Sequence, residues 1–218
     1  MKQKKKVILL KTVTLLIAMM FVLLVYIDFN YQIRYRTVDL NRQTFGIIDD
    51  SLSREYNNVE TLNPDMKLKD KNMSHGDNLL NFVQNNYTNY SIYYFNAEID
   101  GKISSESILE GLNTLKDKGV QSINISLSSK MYSQKIQDWI LENNNIKVYA
   151  SYNNMKNSFD YPAMYKGVIA SGIEEKEIQY KDTDIKYATR KIFCINKMNL
   201  YEGNSFLSLI SMLENKED

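Results

Sequence analysis

The amino-acid sequence predicts an α/β protein with three layers, in which a mostly parallel β-sheet has helices on both faces, preceded by one N-terminal transmembrane helix. Strand-like and helix-like segments alternate between residues 44 and 213, which is typical of parallel sheets with helical crossovers. The strand-like segments are short apolar runs, as expected of strands buried on both faces. A long apolar run behind several lysines predicts the N-terminal helix.

The apolar run covers residues 7–27 and is interrupted by Lys11 and two threonines. A transmembrane helix needs about 20 residues, so the run is long enough if the Lys11 side chain extends towards the headgroups. A cleaved signal peptide is the alternative, but no small-residue cleavage site follows the run. We therefore expect an uncleaved signal anchor.

Basic residues orient this anchor. Five lysines within residues 1–11 favour a cytoplasmic N-terminus, although Arg34, Arg36 and Arg42 on the other side weaken the asymmetry. We expect a single-pass protein of the cell membrane whose folded part is extracytoplasmic. The predicted division is a basic tail at residues 1–6, the transmembrane anchor at 7–27, a juxtamembrane linker at 28–43 and a folded domain at 44–218.

The charge of the folded domain argues against a nucleic-acid partner. The chain has 27 Lys and Arg residues and 26 Asp and Glu residues. Five of the basic residues are the N-terminal lysines, so 22 remain against 26 acids, a net charge of about −4. A mildly acidic domain without a basic stripe is not typical of nucleic-acid binding. The single cysteine, Cys194, excludes an intramolecular disulfide.

Each predicted element follows from its local pattern. Helices are predicted where apolar residues recur three and four positions apart, and Gly119 is a suitable C-terminal cap for the second of them. The predicted helices cover residues 76–86, 105–118, 132–143 and 205–213. The predicted strands are apolar runs rich in β-branched and aromatic residues, at residues 44–49, 91–97, 120–127, 146–151, 167–170 and 191–195.

Three side chains at the ends of these elements could form a catalytic triad. Asp49 ends the first strand, His75 is the only histidine and precedes the first helix of the domain, and Ser205 follows Gly203 at the start of the last helix. Singly, each is more typical of a turn, a surface or an N-cap residue. Parallel sheets bind ligands at the carboxyl ends of their strands, so all three are expected at one edge. Asp, His, Ser is also one of the known chain orders of a nucleophile triad.

Six segments carry further motifs: residues 46–51 (GIIDDS), 75–77 (HGD), 119–128 (GVQSINISLS), 148–153 (VYASYN), 161–172 (YPAMYKGVIASG) and 203–205 (GNS). In this order they resemble the motifs of the subtilisin-like serine peptidases (subtilases, peptidase family S8). The resemblance extends over nearly all of the chain beyond the hydrophobic run. It implies a serine protease, a hydrolase that carries out proteolysis.

The resemblance also implies roles for individual residues. It makes Asp49, His75 and Ser205 the catalytic triad and Asn153 the side-chain donor of the oxyanion hole. The segment Ser126, Leu127 and Ser128 would bind an extended substrate as an added strand. No cofactor and no metal are expected. Calcium, which the family binds, is the alternative, but the sequence offers no oxygen-ligand cluster for it.

The chain departs from the family pattern next to the implied catalytic residues. Ser51, Ser128 and Tyr152 stand where the family has glycine. Asp77 and Asn204 replace threonine, and Leu209 replaces proline. Replacement of glycine could narrow the cleft, since glycine permits a close backbone approach.

These observations predict a membrane-anchored extracytoplasmic serine endopeptidase that cleaves peptide or protein substrates, with exported peptides as the expected class. The departures favour an alternative, a catalytically inactive pseudo-peptidase that binds a peptide or protein partner. An unrelated α/β domain is a third interpretation. About 15 residues separate the anchor from the first strand, too few for a propeptide domain. The domain is therefore expected to fold unaided or with a helper in trans.

Overall fold

A computed structural model describes residues 2–63, 73–154, 160–172 and 191–214 of the 218-residue chain. The helices in these ranges are α1 (Lys2–Asn30), α2 (His75–Asn86), α3 (Ser105–Asp117), α4 (Gln134–Glu142) and α5 (Asn204–Glu214). The strands are β1 (Tyr31–Arg34), β2 (Val38–Asp49), β3 (Val59–Thr61), β4 (Tyr87–Asn96), β5 (Glu98–Ile99), β6 (Lys102–Ile103), β7 (Ser122–Ile125), β8 (Lys147–Ser151), β9 (Val168–Ser171), β10 (Lys191–Cys194) and β11 (Asn199–Tyr201).

Six strands form the central sheet in the order β3-β4-β2-β7-β8-β9, and every neighbouring pair is parallel. One face packs on α2 and α5 through side chains that include Ile47 and Tyr149. The other face packs on α3 and α4 through side chains that include Ile48 and Val148. Successive residues of a strand point to opposite faces, so both faces are apolar. The predicted mostly parallel α/β sheet with helices on both faces is confirmed.

Helix α5 is buried along nearly its whole length. Every residue from Asn204 to Leu213 is buried, including Ser208 and Ser211, which are fully inaccessible. A helix that is apolar on all sides is expected inside a protein rather than on its surface. It packs against α2, β7, β8 and β9. This burial fixes the position of Ser205 in the first turn of the helix.

Strand boundaries differ most from the prediction at β2 and β4. Both begin several residues earlier than expected, because they pair from Val38 and Tyr87 onwards across a β-bulge. Asn41 and Arg42 have positive φ angles of 51° and 61° at that irregularity, which breaks the alternating pattern that predicts a strand. Strands β1, β3, β5, β6 and β11 have two to four residues each and were not predicted.

Strands β1, β10 and β11 form a second sheet in that order. Strand β1 is parallel to β10, with Tyr31 opposite Lys191, and β10 is antiparallel to β11. Residues 28–43, expected to be a linker, therefore contain a complete strand and the beginning of β2.

Arg34 fixes this second sheet to the main core. Its guanidinium forms an ion pair with Glu214 at the end of α5 and a 3.2 Å hydrogen bond to the Tyr87 hydroxyl. It also lies 5.1 Å from the centre of the Tyr87 ring and 5.9 Å from that of Phe82. The Arg34 side chain is 8% exposed, so this charge depends on its partners for solvation.

Helix α1 contains the apolar run. Its large apolar side chains between Leu15 and Tyr26 are each 52–66% exposed. Among the residues that the structure describes, no helix is both long and apolar enough to cross a membrane.

We predict that Arg34→Ala destabilises the domain by about 2 kcal/mol, because it leaves the partly buried Glu214 carboxylate and the Tyr87 hydroxyl without their cation. Urea unfolding would measure the change. Arg36→Ala is the matched control, since Arg36 is exposed, and should change stability by less than about 0.5 kcal/mol. Equal effects of the two substitutions would contradict the role of the Arg34 cluster.

Candidate active site

Asp49, His75 and Ser205 form one chain of hydrogen bonds. The Asp49 carboxylate oxygens lie 2.9 and 3.0 Å from His75 Nδ1, and His75 Nε2 lies 3.1 Å from Ser205 Oγ. With the proton on Nδ1, the imidazole donates to Asp49 and accepts from the Ser205 hydroxyl. The structure therefore brings together the three side chains that the sequence predicted at one edge of the sheet.

Burial controls the charge of Asp49. The side chain is fully inaccessible at the carboxyl end of β2, and Oδ1 also accepts a 2.8 Å hydrogen bond from the backbone N–H of Asp50. Burial raises the pKa of Asp49, whereas the hydrogen bond and the charge of His75 lower it.

The pKa of His75 is raised above its ordinary value. Burial lowers it, but the hydrogen bond and charge of Asp49, together with the charge of Asp50, have the larger effect. The side chain is 40% exposed, so a substrate can reach the ring. A histidine with a raised pKa is a stronger base towards the Ser205 hydroxyl.

Asp50 positions the start of α2. Its carboxylate accepts hydrogen bonds from the backbone N–H groups of His75 (3.2 Å) and Gly76 (2.8 Å), and its carbonyl accepts one from the Tyr94 hydroxyl at 2.6 Å. A carboxylate at a helix N-terminus is favourable because the first N–H groups have no partner within the helix. Asp50 thus connects the strand that carries Asp49 to the helix that carries His75.

Asp77 caps the same helix. It forms a capping box with Ser74, in which each side chain accepts a hydrogen bond from the other's backbone N–H at 2.8–3.0 Å. The Ser53 backbone N–H and the Tyr56 hydroxyl also donate to its carboxylate. Burial raises the pKa of Asp77, but these hydrogen bonds outweigh it and hold the pKa below its ordinary value. The departure from threonine at this position therefore has a structural role.

Asn204 holds Ser205 against the end of β8. Its side-chain amide donates to the carbonyls of Tyr152 (3.0 Å) and Asn153 (3.1 Å), and its backbone N–H donates to Asn154 Oδ1 at 2.8 Å. Gly203, just before it, has a φ of +130°, a conformation that other residues rarely adopt. This turn places Ser205, which is 7% exposed, at the start of α5.

Asn153 lies two residues beyond the end of β8 and lines the same cleft as His75 and Ser205. The first turn of α5 supplies backbone N–H groups beside the Ser205 hydroxyl. Tyr152, a bulky replacement for glycine, lines the same cleft. It is 5% exposed and belongs to the hydrophobic core, with its ring against Gly172.

The predicted substrate segment follows β7 and also lines this cleft, which has a volume of about 270 Å³. Its three residues differ in exposure: Ser126 is buried, Leu127 is half-buried and Ser128 is exposed. The Ser126 hydroxyl donates to Asn124 Oδ1 at 2.6 Å and is therefore not directed at a ligand. Leu127 and the backbone of the segment are better placed to contact a peptide.

A second cavity, of about 600 Å³, also borders His75 and Ser205. His75 and Ser205 line both cavities, and the second is otherwise walled by α2 and by the segment from β11 to Gly203. Its α2 wall carries three carboxamides on one helical face, at Asn78, Asn81 and Asn85. Within the described ranges, no group of three or more His, Cys, Asp or Glu residues could hold a metal ion.

Sequence reasoning did not find the residues that support the triad. Asn124 is fully buried and donates to Ser208 Oγ at 2.7 Å, which fixes β7 to α5. Asn204 was noted only as a departure from the family pattern, and Asp50 only as part of the motif at residues 46–51. The one available signal was the recurrence of serine at Ser205, Ser208 and Ser211, which places polar groups in an otherwise apolar helix.

No family model matches the chain, and no curated protein sequence matches it. Solved structures of proteases do match. One is the crystal structure of the psychrophilic subtilisin-like protease Apa1 from the Antarctic psychrotroph Pseudoalteromonas sp. AS-11, with 21% identity over 61% of this chain and a TM-score of 0.50. The match covers 36% of the Apa1 chain, so this chain spans about a third of its length.

Two further structures are matched over more of their length. The prenylagaramide maturation protease PagA is 14% identical, with 79% of this chain and 74% of PagA covered and a TM-score of 0.53. A point mutant of the protease domain of PatA is 12% identical, with 81% and 80% covered and a TM-score of 0.56. At these identities the likeness shows the fold, which is that of subtilisin-like proteases.

We predict that Gly76→Ala destabilises the domain by about 2 kcal/mol, because a Cβ there would lie 1.9 Å from the Tyr94 hydroxyl oxygen. Tyr94→Phe removes that oxygen and its hydrogen bond to Asp50, at a cost of about 1 kcal/mol. The double variant should lose clearly less than the sum of the two, since the second change relieves the overlap. Strict additivity in chemical unfolding would contradict this account of Gly76.

Proposed function

We propose that this chain is a serine endopeptidase that hydrolyses peptide bonds through Asp49, His75 and Ser205. The observation that carries the proposal is the continuous hydrogen-bond chain from the buried carboxylate to the serine hydroxyl. A serine hydroxyl is a weak nucleophile unless an adjacent base takes its proton. The subtilisin-like protease fold of the solved neighbours supports the same reaction class.

The proton path follows from the hydrogen bonds. Ser205 Oγ attacks the carbonyl carbon of the substrate while His75 Nε2 takes the hydroxyl proton, and Asp49 stabilises the imidazolium that forms. His75 then gives the proton to the leaving amine, which departs and leaves an acyl ester on Ser205. Water, deprotonated by His75, hydrolyses this ester and restores the serine.

The oxyanion of each tetrahedral intermediate needs donors that are already oriented. We assign this role to the Asn153 side-chain amide and to the Ser205 backbone N–H at the start of α5. The fixed position of the Asn153 backbone, which accepts a hydrogen bond from Asn204, supports the assignment. Substrate would lie along Leu127 and Ser128 as an added strand.

The proposal includes membrane anchoring through residues 7–27, with the peptidase domain extracytoplasmic. The apolar run at residues 7–27 of the sequence supports the anchor, because a transmembrane helix needs about 20 such residues. The five N-terminal lysines support a cytoplasmic N-terminus. Peptide or protein substrates exported across the same membrane are the class that such a protease would meet.

We predict that a soluble fluorophosphonate probe labels the chain on Ser205. Labelling should be lost in Ser205→Ala and fall by at least about 10³-fold in His75→Ala, since the serine then lacks its base. Ser211→Ala is the matched control in the same helix, because its hydroxyl is buried and has no hydrogen-bond partner among the residues that the structure describes. Mass spectrometry of the adduct would identify the modified residue.

A folded chain that resists the probe would contradict the peptidase proposal. It would favour the pseudo-peptidase, in which the same cleft binds a peptide or protein partner without cutting it. Circular dichroism of the variants would show whether a loss of labelling reflects chemistry or unfolding.

We predict that the labelling rate falls as the pH drops through a value above about 6.5, because His75 is a base only when neutral and its folded-state pKa is raised. Asp50→Asn removes one of the charges that raise this pKa and should shift the acidic limb of the profile to lower pH. Asp138→Asn, a change at an exposed carboxylate on α4, should leave the profile unchanged. An unshifted limb in Asp50→Asn would show that Asp50 does not act on His75.

A further inference from the structure

The N-terminal helix is connected to the peptidase domain without a linker. Helix α1 ends at Asn30 and strand β1 begins at the next residue, Tyr31. Strand β1 is parallel to β10, and Tyr31 is the register partner of Lys191. The point at which the chain leaves α1 is therefore one strand spacing from the beginning of β10.

The second sheet leads from this point to the nucleophile. Strand β10 is antiparallel to β11, with Ile192 opposite Tyr201, so Lys191 lies beside Glu202. The ammonium of Lys191 and the carboxylate of Glu202 form a 3.0 Å ion pair. Only Gly203 and Asn204 separate Glu202 from Ser205.

These connections set an upper limit on the distance between the Cα atoms of Tyr31 and Ser205. Neighbouring strands lie about 5 Å apart, and each residue of chain spans at most ~3.8 Å between Cα atoms. The Cα atom of Ser205 is therefore within roughly 25 Å of the Cα atom of Tyr31. An extended peptide covers that distance with about eight residues.

The second sheet is packed on the core, and side-chain contacts hold it there at both ends. At one end, Arg34 pairs with Glu214 of α5. At the other, the Tyr201 hydroxyl accepts a 2.8 Å hydrogen bond from Asn85 of α2, and the Tyr201 ring lies 5.0 Å from that of Phe82. Movement of β1 relative to Ser205 would have to break these buried contacts.

The cavity of about 600 Å³ borders the same sheet. Strand β11 is an edge strand of this sheet, and its residues form one wall of the cavity. The other wall is α2, with the carboxamides of Asn78, Asn81 and Asn85. A peptide can thus approach Ser205 along the β1-β10-β11 sheet, in which β1 follows directly on α1.

We infer that the β1-β10-β11 sheet holds Ser205 at a short, fixed distance from the membrane surface. The protease would then cut segments that lie within about eight extended residues of the lipid, in substrates that are themselves held at the membrane. This inference rests on the proposed function, both on the anchor at residues 7–27 and on Ser205 as the nucleophile.

The test uses the full chain in phospholipid vesicles and needs no known substrate. A fluorophosphonate is coupled to a phospholipid headgroup through a spacer of about 30 Å, and a soluble fluorophosphonate serves as reference. The variant carries about 20 Gly and Ser residues between Asn30 and Tyr31, which add a flexible separation of roughly 25 Å. It leaves every strand and the triad unchanged.

We expect the lipid-coupled probe to label Ser205 at least about tenfold faster in the natural chain than in the insertion variant, with equal rates for the soluble probe. Equal rates with the lipid-coupled probe would overturn the inference and leave the proposed function intact. If neither chain reacts with the soluble probe, the proposed function is wrong and the inference fails with it. Chains that do not float with the vesicles would overturn the anchor on which it depends.

Discussion

The site depends on one fully buried carboxylate. Asp49 has no access to water, so its charge must be balanced by hydrogen bonds within the protein. The Asp50 backbone N–H and the His75 imidazole provide them, and the second of these fixes both the tautomer and the orientation of the ring. The buried side chain at the end of β2 therefore determines which imidazole nitrogen faces the Ser205 hydroxyl. A solvent-exposed aspartate at this position could not impose that orientation.

The departures from the subtilase pattern lie around the triad, and several of them form hydrogen bonds that keep it in place. Asp77 completes the capping box of the helix that begins with His75. Asn204 connects the helix of Ser205 to the loop that carries Asn153. Tyr152 packs in the core and also lines the cleft. The departures from the family pattern are therefore compatible with the hydrogen-bonded arrangement of Asp49, His75 and Ser205. They are for that reason weak evidence of lost activity.

Most of the main sheet could be predicted because its signals are local. Apolar runs and helical periodicity gave the central strands and the four helices around them to within a few residues, and the sheet-edge rule placed Asp49, His75 and Ser205 together. Strands β1 and β11 were missed, since each has three or four residues and pairs with a remote partner through backbone groups. Arg34 was interpreted as a charge beside a membrane helix. Its burial depends on Glu214, 180 residues further along the chain, which no local pattern reveals.

The effect of Asp49 on His75 can be measured directly, because His75 is the only histidine in the chain. A pH titration of the single set of imidazole NMR signals, in the full chain in detergent micelles, would give the pKa of His75 without ambiguity. We expect a pKa above the ordinary value of about 6.5, with the neutral ring protonated on Nδ1. Asp49→Asn should lower that pKa clearly. A ring that titrates at the ordinary value in both chains would contradict an effect of Asp49 on His75.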